Sequence, residues 1–221
     1  MIAALYSGGK DSTLAIHKMH ERGKTTELLI TLVSDNRFSY MLQRINVEWT
    51  RLQAEAMGVK HVFFSTKGEK EKELVDIRDA LEQNGVTELI TGAVASRYQA
   101  DRINGICREL RIKHHSPLWG MDPFMELNEI SEKFDAIVTQ VSAEGFDDSM
   151  LGARIDQRLI GKLQMLHQRY KINMSFEGGE AESFVLDAPM FKRMVVIDRA
   201  RKEREGQVGA YAIEAAHLQD K

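Results

Sequence analysis

Residues 2–12, Ile-Ala-Ala-Leu-Tyr-Ser-Gly-Gly-Lys-Asp-Ser, constrain the fold more than any other stretch of the chain. A run of mostly apolar residues passes directly into a small, flexible, charged loop. Ser12, Ala15, Ile16 and Met19 then fall at i, i+3, i+4 and i+7, one face of a helix that Gly23 can close. The order is therefore strand, tight loop, helix. In that order the loop and the first helical turn carry backbone N–H groups without internal partners. They point, with the positive end of the helix dipole, at whatever lies above the strand. Gly8 and Gly9 let the main chain approach a phosphate without a Cβ in the way, and Ser7 and Ser12 add hydroxyl donors. Lys10 brings a positive charge, and Asp11 can hold the magnesium ion that accompanies a nucleotide. A capped surface turn would use the same glycines. A lysine, an aspartate and two hydroxyls crowded behind the first strand favour phosphate binding.

The pattern along the chain fixes the class. Apolar stretches at 27–33, 62–65, 89–92 and 114–118 read as further strands, alternating with helical periodicity at 45–56, 74–81 and 97–110. Such alternation specifies a Rossmann-like α/β fold, a parallel sheet with helices on both faces. Its ligand crevice lies beyond the carboxyl ends of the strands. The loop at 7–12, the end of the second strand at Val33 and the segment from Gly92 thus share one rim. The mixed-charge run at 67–73 reads as a solvated helix start. A Pro117, Gly120, Pro123 cluster marks a boundary, giving an expected nucleotide-binding domain at 1–119 and a smaller α+β domain at 120–221. In the latter, helices at 125–133 and 155–170 accompany strands at 136–141, 184–186, 194–198 and 208–214.

Composition narrows the classes. With a formal net charge of −3 the chain lacks the basic excess of a nucleic-acid binder, so no direct nucleic-acid contact is expected. No apolar run reaches the length of a membrane span, and the opening strand leaves no room for a signal peptide. A cytoplasmic protein without a membrane partner is the expectation. The one cysteine, Cys107, excludes an intrachain disulfide and a paired-cysteine site, and its spacing from Ile103 and Leu110 puts it on an apolar helical face.

Two further constellations carry chemistry. In residues 92–102 Gly92 ends a strand, Ser96 suits a helix N-cap, and Tyr98, Gln99 and Arg102 follow near the rim. Arg102 is suited to phosphate charge. In residues 173–183 Glu177, Glu180 and Glu182 bracket Gly178 and Gly179, a turn in which carboxylates can converge on a cation, an amine or a mobile proton. A hairpin turn with solvated acids is the plainer reading of that stretch taken alone.

The loop at 7–12 is not a Walker A sequence. Its Ser-Gly-Gly-Lys-Asp-Ser resembles the pyrophosphate loop of the N-type ATP pyrophosphatases, which implies cleavage of ATP to AMP and pyrophosphate. Gly-Ala-x-x-Ser-x-Tyr-Gln-x-x-Arg at 92–102, Pro-Leu-Trp at 117–119, Gly145 with Leu151 and Gly152, Glu-Gly-Gly-Glu-x-Glu at 177–182 and Asp187 with Pro189 extend the likeness. Together these motifs resemble the diphthine–ammonia ligase family, over nearly the whole chain. The resemblance implies an adenine nucleotide alpha hydrolase-like fold. It also implies ATP-dependent conversion of the diphthine carboxylate of translation elongation factor 2 into an amide, through an acyl-adenylate attacked by ammonia. ATP, Mg2+, ammonium and the elongation factor are the implied ligands and partners, and a homodimer stays open. The implied roles place the phosphates on Ser7, Gly8, Gly9 and Ser12, with Lys10 countering their charge and Asp11 on the metal. Val33, Gly92 and Ser96 join the nucleotide site; Asn46, Tyr98, Gln99, Arg102, Gly178 and Gly179 join the substrate; Glu177, Glu180 and Glu182 bind ammonium or take its proton. The chain departs from the family at Gln43, where a histidine is usual before the asparagine matched by Asn46. It departs again at Ala181, in place of an aromatic residue, and at Ser183, in place of threonine. A glutaminase would need a cysteine nucleophile, so free ammonium is the expected nitrogen source. The rival readings are a tRNA-thiolating pyrophosphatase and a non-catalytic nucleotide sensor.

Overall fold

A computed structural model describes residues 1–34, 45–66 and 72–221. Gln43 and most of the mixed-charge run at 67–73 lie outside the described residues. Five strands, β1 (Ile2–Leu5), β2 (Leu28–Ser34), β3 (Lys60–Thr66), β4 (Glu88–Ile90) and β5 (Lys113–His115), form a parallel sheet in the order β3-β2-β1-β4-β5. Helices α1 (Lys10–Glu21), α2 (Thr50–Met57), α3 (Lys72–Gln83) and α4 (Arg97–Glu109) alternate with them. The central strands β1, β2 and β4 are mostly apolar on both sides because both faces are covered, whereas the edge strands β3 and β5 carry lysine and histidine. Ala4, Leu29 and Ile90 pack with Leu14, Ala15 and Met19 of α1. Their neighbours Ala3, Leu28 and Leu89 turn the other way, toward Ile77 and Leu81 of α3 and Ile103 and Cys107 of α4. Strand order reverses at β1, which has β2 on one side and β4 on the other. The crevice between the carboxyl ends of β1 and β4 is therefore the topological switch point where such sheets take ligands.

The second half adds α5 (Pro123–Lys133), β6 (Asp135–Val141), α6 (Gln157–Tyr170), β7 (Ala181–Asp187), β8 (Arg193–Glu205) and β9 (Val208–Asp220). Its four strands make an antiparallel sheet, β7-β6-β9-β8. The Asp122 carboxylate accepts from the N–H groups of Phe124 and Met125, with Pro123 in the first turn, so α5 starts where its sequence dictates. Asp156 caps α6 in the same way. The β8–β9 hairpin runs well past the expected 194–198 and 208–214. Its outer half replaces apolar alternation with ion pairs such as Arg199–Glu214 at 2.7 Å, so the period-2 signal fades while the pairing continues.

The two halves share one interior. A continuous apolar cluster runs from Ala4 and Leu14 to Val138, Val185 and Phe191. The division at 119/120 coincides with the change of sheet and is kept as a proposal about organisation. Helix α2 lies between the sheets and buries Gln53, Ala54 and Met57, while Trp49 and Leu52 pack on the cluster of Phe184, Val195 and Ile213. The helix expected over 45–56 starts only at Thr50, after a 3₁₀ turn at Val47–Trp49, and Ala56 is buried while Trp49 and Leu52 are half-buried. Among the described residues no helix is long and apolar enough to cross a membrane.

His61, on β3, places Nε2 2.8 Å from Thr31 Oγ1, and burial lowers its pKa from 6.5 to about 4. Between those values the unfolded chain binds the proton and the folded one does not. Stability is therefore expected to fall as pH drops through that window, by at most about 1.4 kcal/mol per pH unit for one proton. Denaturant titrations at several pH values should show a shallower slope in His61→Gln.

Candidate active site

The turn between β1 and α1 is built from its carbonyls outward. Gly8, at φ +80°, turns its C=O toward the second sheet. There the oxygen accepts from Val185 N–H at 3.0 Å and Gln53 Nε2 at 2.9 Å. A Cβ on Gly8 would come within 2.5 Å of Gln53 Oε1, so only glycine fits. Gly9 is the N-cap, and its carbonyl accepts from the Thr13 N–H at 3.2 Å and the Thr13 hydroxyl at 2.8 Å. The N–H groups of Asp11 and Ser12 lie in the first helical turn, where no carbonyl four residues earlier can serve them. Gly92, just beyond β4, presses on that turn: a Cβ there would sit 2.7 Å from Asp11 C and Ser12 N.

A cavity of about 350 Å³ opens above this turn. Ser7, Gly9, Asp11 and Ser12 form its polar end, and Leu5, Ile30, Leu32, Ile77 and Ile103 an apolar floor. Another wall comes from the second half, through Phe176, Glu177, Gly179, Ala181, Glu182 and Ser183. Thr91, Gly92 and Gln99 also line the cavity. A flat apolar floor beside a helix N-terminus suits a base and its phosphates.

Several expected residues lie elsewhere. Lys10 is the clearest correction. Its side chain is buried and absent from the cavity wall. The ammonium points into the interior, 2.8 Å from Glu126 Oε1, 2.7 Å from the Ser175 carbonyl and 2.5 Å from Asp11 Oδ1, and 5.2 Å from the centre of the Phe176 ring. Burial opposes the Lys10 charge, but the Asp11 and Glu126 carboxylates outweigh it and hold the pKa above its ordinary value. Burial pushes Glu126 well above the carboxylate range, against the pull of Lys10. Lys10 therefore ties α1, α5 and the acidic loop together rather than reaching a phosphate. Its backbone N–H does face the second sheet, donating to Ser183 Oγ at 3.1 Å, so the serine found in place of threonine still has an acceptor role.

The acids divide by function. Glu177 accepts from the N–H groups of Val94 at 3.1 Å and Ser96 at 3.2 Å, clamping the loop after β4. Glu180 is not on the cavity wall; it accepts from Asn173 N–H at 2.7 Å and Gly178 N–H at 2.9 Å and folds the loop on itself. Glu182, on β7, lines the cavity. Phe176 holds φ +67°, a backbone region costly for a bulky residue and retained where surroundings enforce it. Gly178 packs against the Glu180 carboxylate, whereas Gly179 lines the cavity.

Ser96 caps α4 through the Gln99 N–H, and Arg102 stacks over the Tyr98 ring at 3.6 Å; none of Ser96, Tyr98 and Arg102 lines the cavity. Val33 stands past the floor residue Leu32 and is not on the wall. Asn46, buried at φ +65°, donates to Tyr211 C=O and accepts from Ile213 N–H, which makes it a stitch between the halves. Glu126 and Gln53 were not legible as site residues. One reads as an ordinary acid in a first helical turn, the other as a polar residue on a helix.

Asp11 fits a magnesium ion: a carboxylate about one-third exposed at the polar end, with one oxygen held by Lys10. Magnesium takes one or two carboxylates and completes its shell with phosphate and water. Elsewhere, His17, Glu21 and Glu129 have ligand-like spacing, but the Lys133 ammonium already lies 2.9 Å and 2.8 Å from the two carboxylates. Cys107 is buried, and its thiol is pushed up to about 11 by that burial.

Residues 1–114 match the family model of the diphthamide synthase N-terminal domain, and residues 122–218 that of the diphthamide synthase C-terminal domain. The chain belongs to the diphthamide synthase family. The human protein named diphthine–ammonia ligase is 30% identical, over 89% of this chain and 82% of that one. The bovine protein of that name is 31% identical over the same shares. The Saccharomyces cerevisiae protein of that name is 26% identical over 86% of this chain and 33% of its own length. A solved Methanocaldococcus jannaschii chain, described as a predicted subunit of a tRNA methyltransferase, is 18% identical with a TM-score of 0.42, over 85% of this chain and 97% of that one. That likeness is too loose to bear on function. Membership of the diphthamide synthase family implies use of ATP, and the cavity places a phosphate-type turn, an apolar floor and an acidic wall together.

Proposed function

We propose that this chain is a diphthine–ammonia ligase, amidating the diphthine carboxylate of translation elongation factor 2 with ammonium and ATP. The observation that carries the reading is the pairing of the 7–12 turn with the β7 wall across one cavity, in a chain of this family. A carboxylate is a poor electrophile. Its oxygen attacks the α-phosphorus of ATP, the bond to the bridging β-oxygen breaks, and pyrophosphate leaves. Ammonia then attacks the acyl carbon, AMP departs with the bonding pair, and the surplus proton passes to a carboxylate. Ser7, Gly9, Ser12 and the N–H groups opening α1 hold the phosphates, and charge developing on pyrophosphate meets the helix dipole. Asp11 would hold Mg2+, which would neutralise the phosphate charge. Glu182 receives the ammonium proton; Glu177 and Glu180 keep the wall in shape, and Gln99 reaches the substrate from α4.

The assay combines the protein with diphthine-bearing elongation factor 2, ATP and ammonium. AMP, pyrophosphate and a mass decrease matching hydroxyl-to-amine replacement support the ligase. No turnover supports a sensor, dependence on tRNA supports a thiolation enzyme, and ADP as product removes the reading. Glu182→Gln is expected to retain ATP binding and lose about 100-fold or more in amide formation, the usual scale of a lost proton acceptor. Glu180→Gln is expected to lower both together, because one N–H of the loop would then face an amide N–H. Isothermal titration with ATP alongside the amidation assay separates the two.

A further inference from the structure

At the inner side of the cavity Thr91 follows the end of β4, only 6% exposed. Its position is between the apolar floor and the phosphate turn: it shares the wall with Leu5 and Ile103, and its neighbour Gly92 abuts Asp11 and Ser12. The Thr91 hydroxyl stands 2.8 Å from His114 Nε2, and His114 Nδ1 stands 2.7 Å from Asn104 Oδ1. An amide oxygen only accepts, so Nδ1 carries the imidazole proton and Nε2 is the acceptor. Ser116 Oγ also stands 3.2 Å from Nε2, but the Thr91 contact is the shorter and takes that lone pair, so the Thr91 hydroxyl gives its one proton to His114. Ser116 Oγ, 3.3 Å from the Thr91 oxygen, takes up at most one lone pair. Thr91 lines the cavity, and the lone pair that neither neighbour uses is the one open to a ligand, oriented by the chain from Asn104 on α4 through His114 on β5.

A buried hydroxyl with its proton committed is an acceptor and nothing else. Between a base-sized floor and a phosphate turn, the ligand group with a proton to offer is the sugar. We propose that Thr91, oriented by His114 and Asn104, accepts a ribose hydroxyl and makes the site selective for ribonucleotides over deoxyribonucleotides. This rests on the reading that the cavity binds ATP. A site that pairs a ligand hydroxyl rejects the analogue lacking it, because its own buried polar atom is then left without a donor.

The test is equilibrium binding of ATP, 2′-deoxy-ATP and 3′-deoxy-ATP to the full chain and to Thr91→Val, Thr91→Ser and His114→Ala. The wild type is expected to prefer ATP over one deoxy analogue by about 2–12-fold, the range of one neutral hydrogen bond. Thr91→Val should weaken ATP by that factor while leaving the discriminated analogue unchanged, and Thr91→Ser should restore the gap. His114→Ala, which keeps the threonine but frees its proton, should narrow the gap, so the result does not hang on one variant. A gap that persists in both Thr91→Val and His114→Ala overturns the proposal. So does an equal loss for all three nucleotides, the mark of a merely structural role. A wild type that binds none of the three removes the ATP reading itself.

Discussion

Lys10→Met is expected to lower the unfolding free energy by about 1–3 kcal/mol, because it leaves the buried oxygens of Glu126, Asp11 and the Ser175 carbonyl without their donor. Nothing exposed compensates: Glu126 is fully buried, and its other contact is with the Asp11 side of the same group. The second half of the expectation distinguishes a fold role from a catalytic one. Replacing the pair together, Lys10→Met with Glu126→Leu, should recover most of the stability, since apolar residues of similar volume often match a buried ion pair. ATP cleavage should stay low in the double variant, because Asp11 and the Ser175 carbonyl lose the ammonium that orients them. Urea titration and pyrophosphate release read the two effects. Wild-type stability in Lys10→Met, or full activity in the double variant, would remove the tie described above.

Gly92→Ala is expected to cost about 100-fold in turnover, the scale of displacing reacting groups by about an ångström. The added methyl meets backbone atoms of Asp11 and Ser12 at 2.7 Å, and backbone cannot rotate aside as a side chain can. Helix α1 must then back away from β4, taking its unpaired N–H groups with it. Overpacking of this kind costs about 1–3 kcal/mol in stability, so the chain should still fold. Retained cooperative unfolding with lost pyrophosphate release is the expected pair of readings. An alanine variant with normal turnover would show that the turn is not held from this side.

The parallel sheet was legible because its central strands are mostly apolar on both sides and its helices keep a 3.6 period, a signal local to each segment. The position of Gly8, Gly9, Asp11 and Ser12 was legible for the same reason: a turn directly behind a strand has only one place to be. Lys10 was not. Whether a lysine in a first helical turn points to solvent, a phosphate or the core depends on Glu126 and Ser175, more than a hundred residues away, and no local pattern reports them. The acidic loop shows the same limit. Three glutamates around two glycines look alike in sequence, yet Glu177 and Glu180 accept from backbone N–H groups at 94–96 and 173–178, and Glu177 and Glu182 line the cavity while Glu180 does not. Asn46 misled in the opposite sense, since a polar residue near a rim reads as a ligand contact while its partners are on β9.

The bond from Val185 N–H to the Gly8 carbonyl has a bearing on synthesis. The turn is synthesised well before Val185, whose N–H, together with the Gln53 amide, holds the Gly8 carbonyl. A chain still emerging from the ribosome can lay down its parallel strands while its nucleotide socket waits, unfinished, for β7. Catalytic competence therefore arrives late and all at once, and a truncated product has the turn without the enzyme.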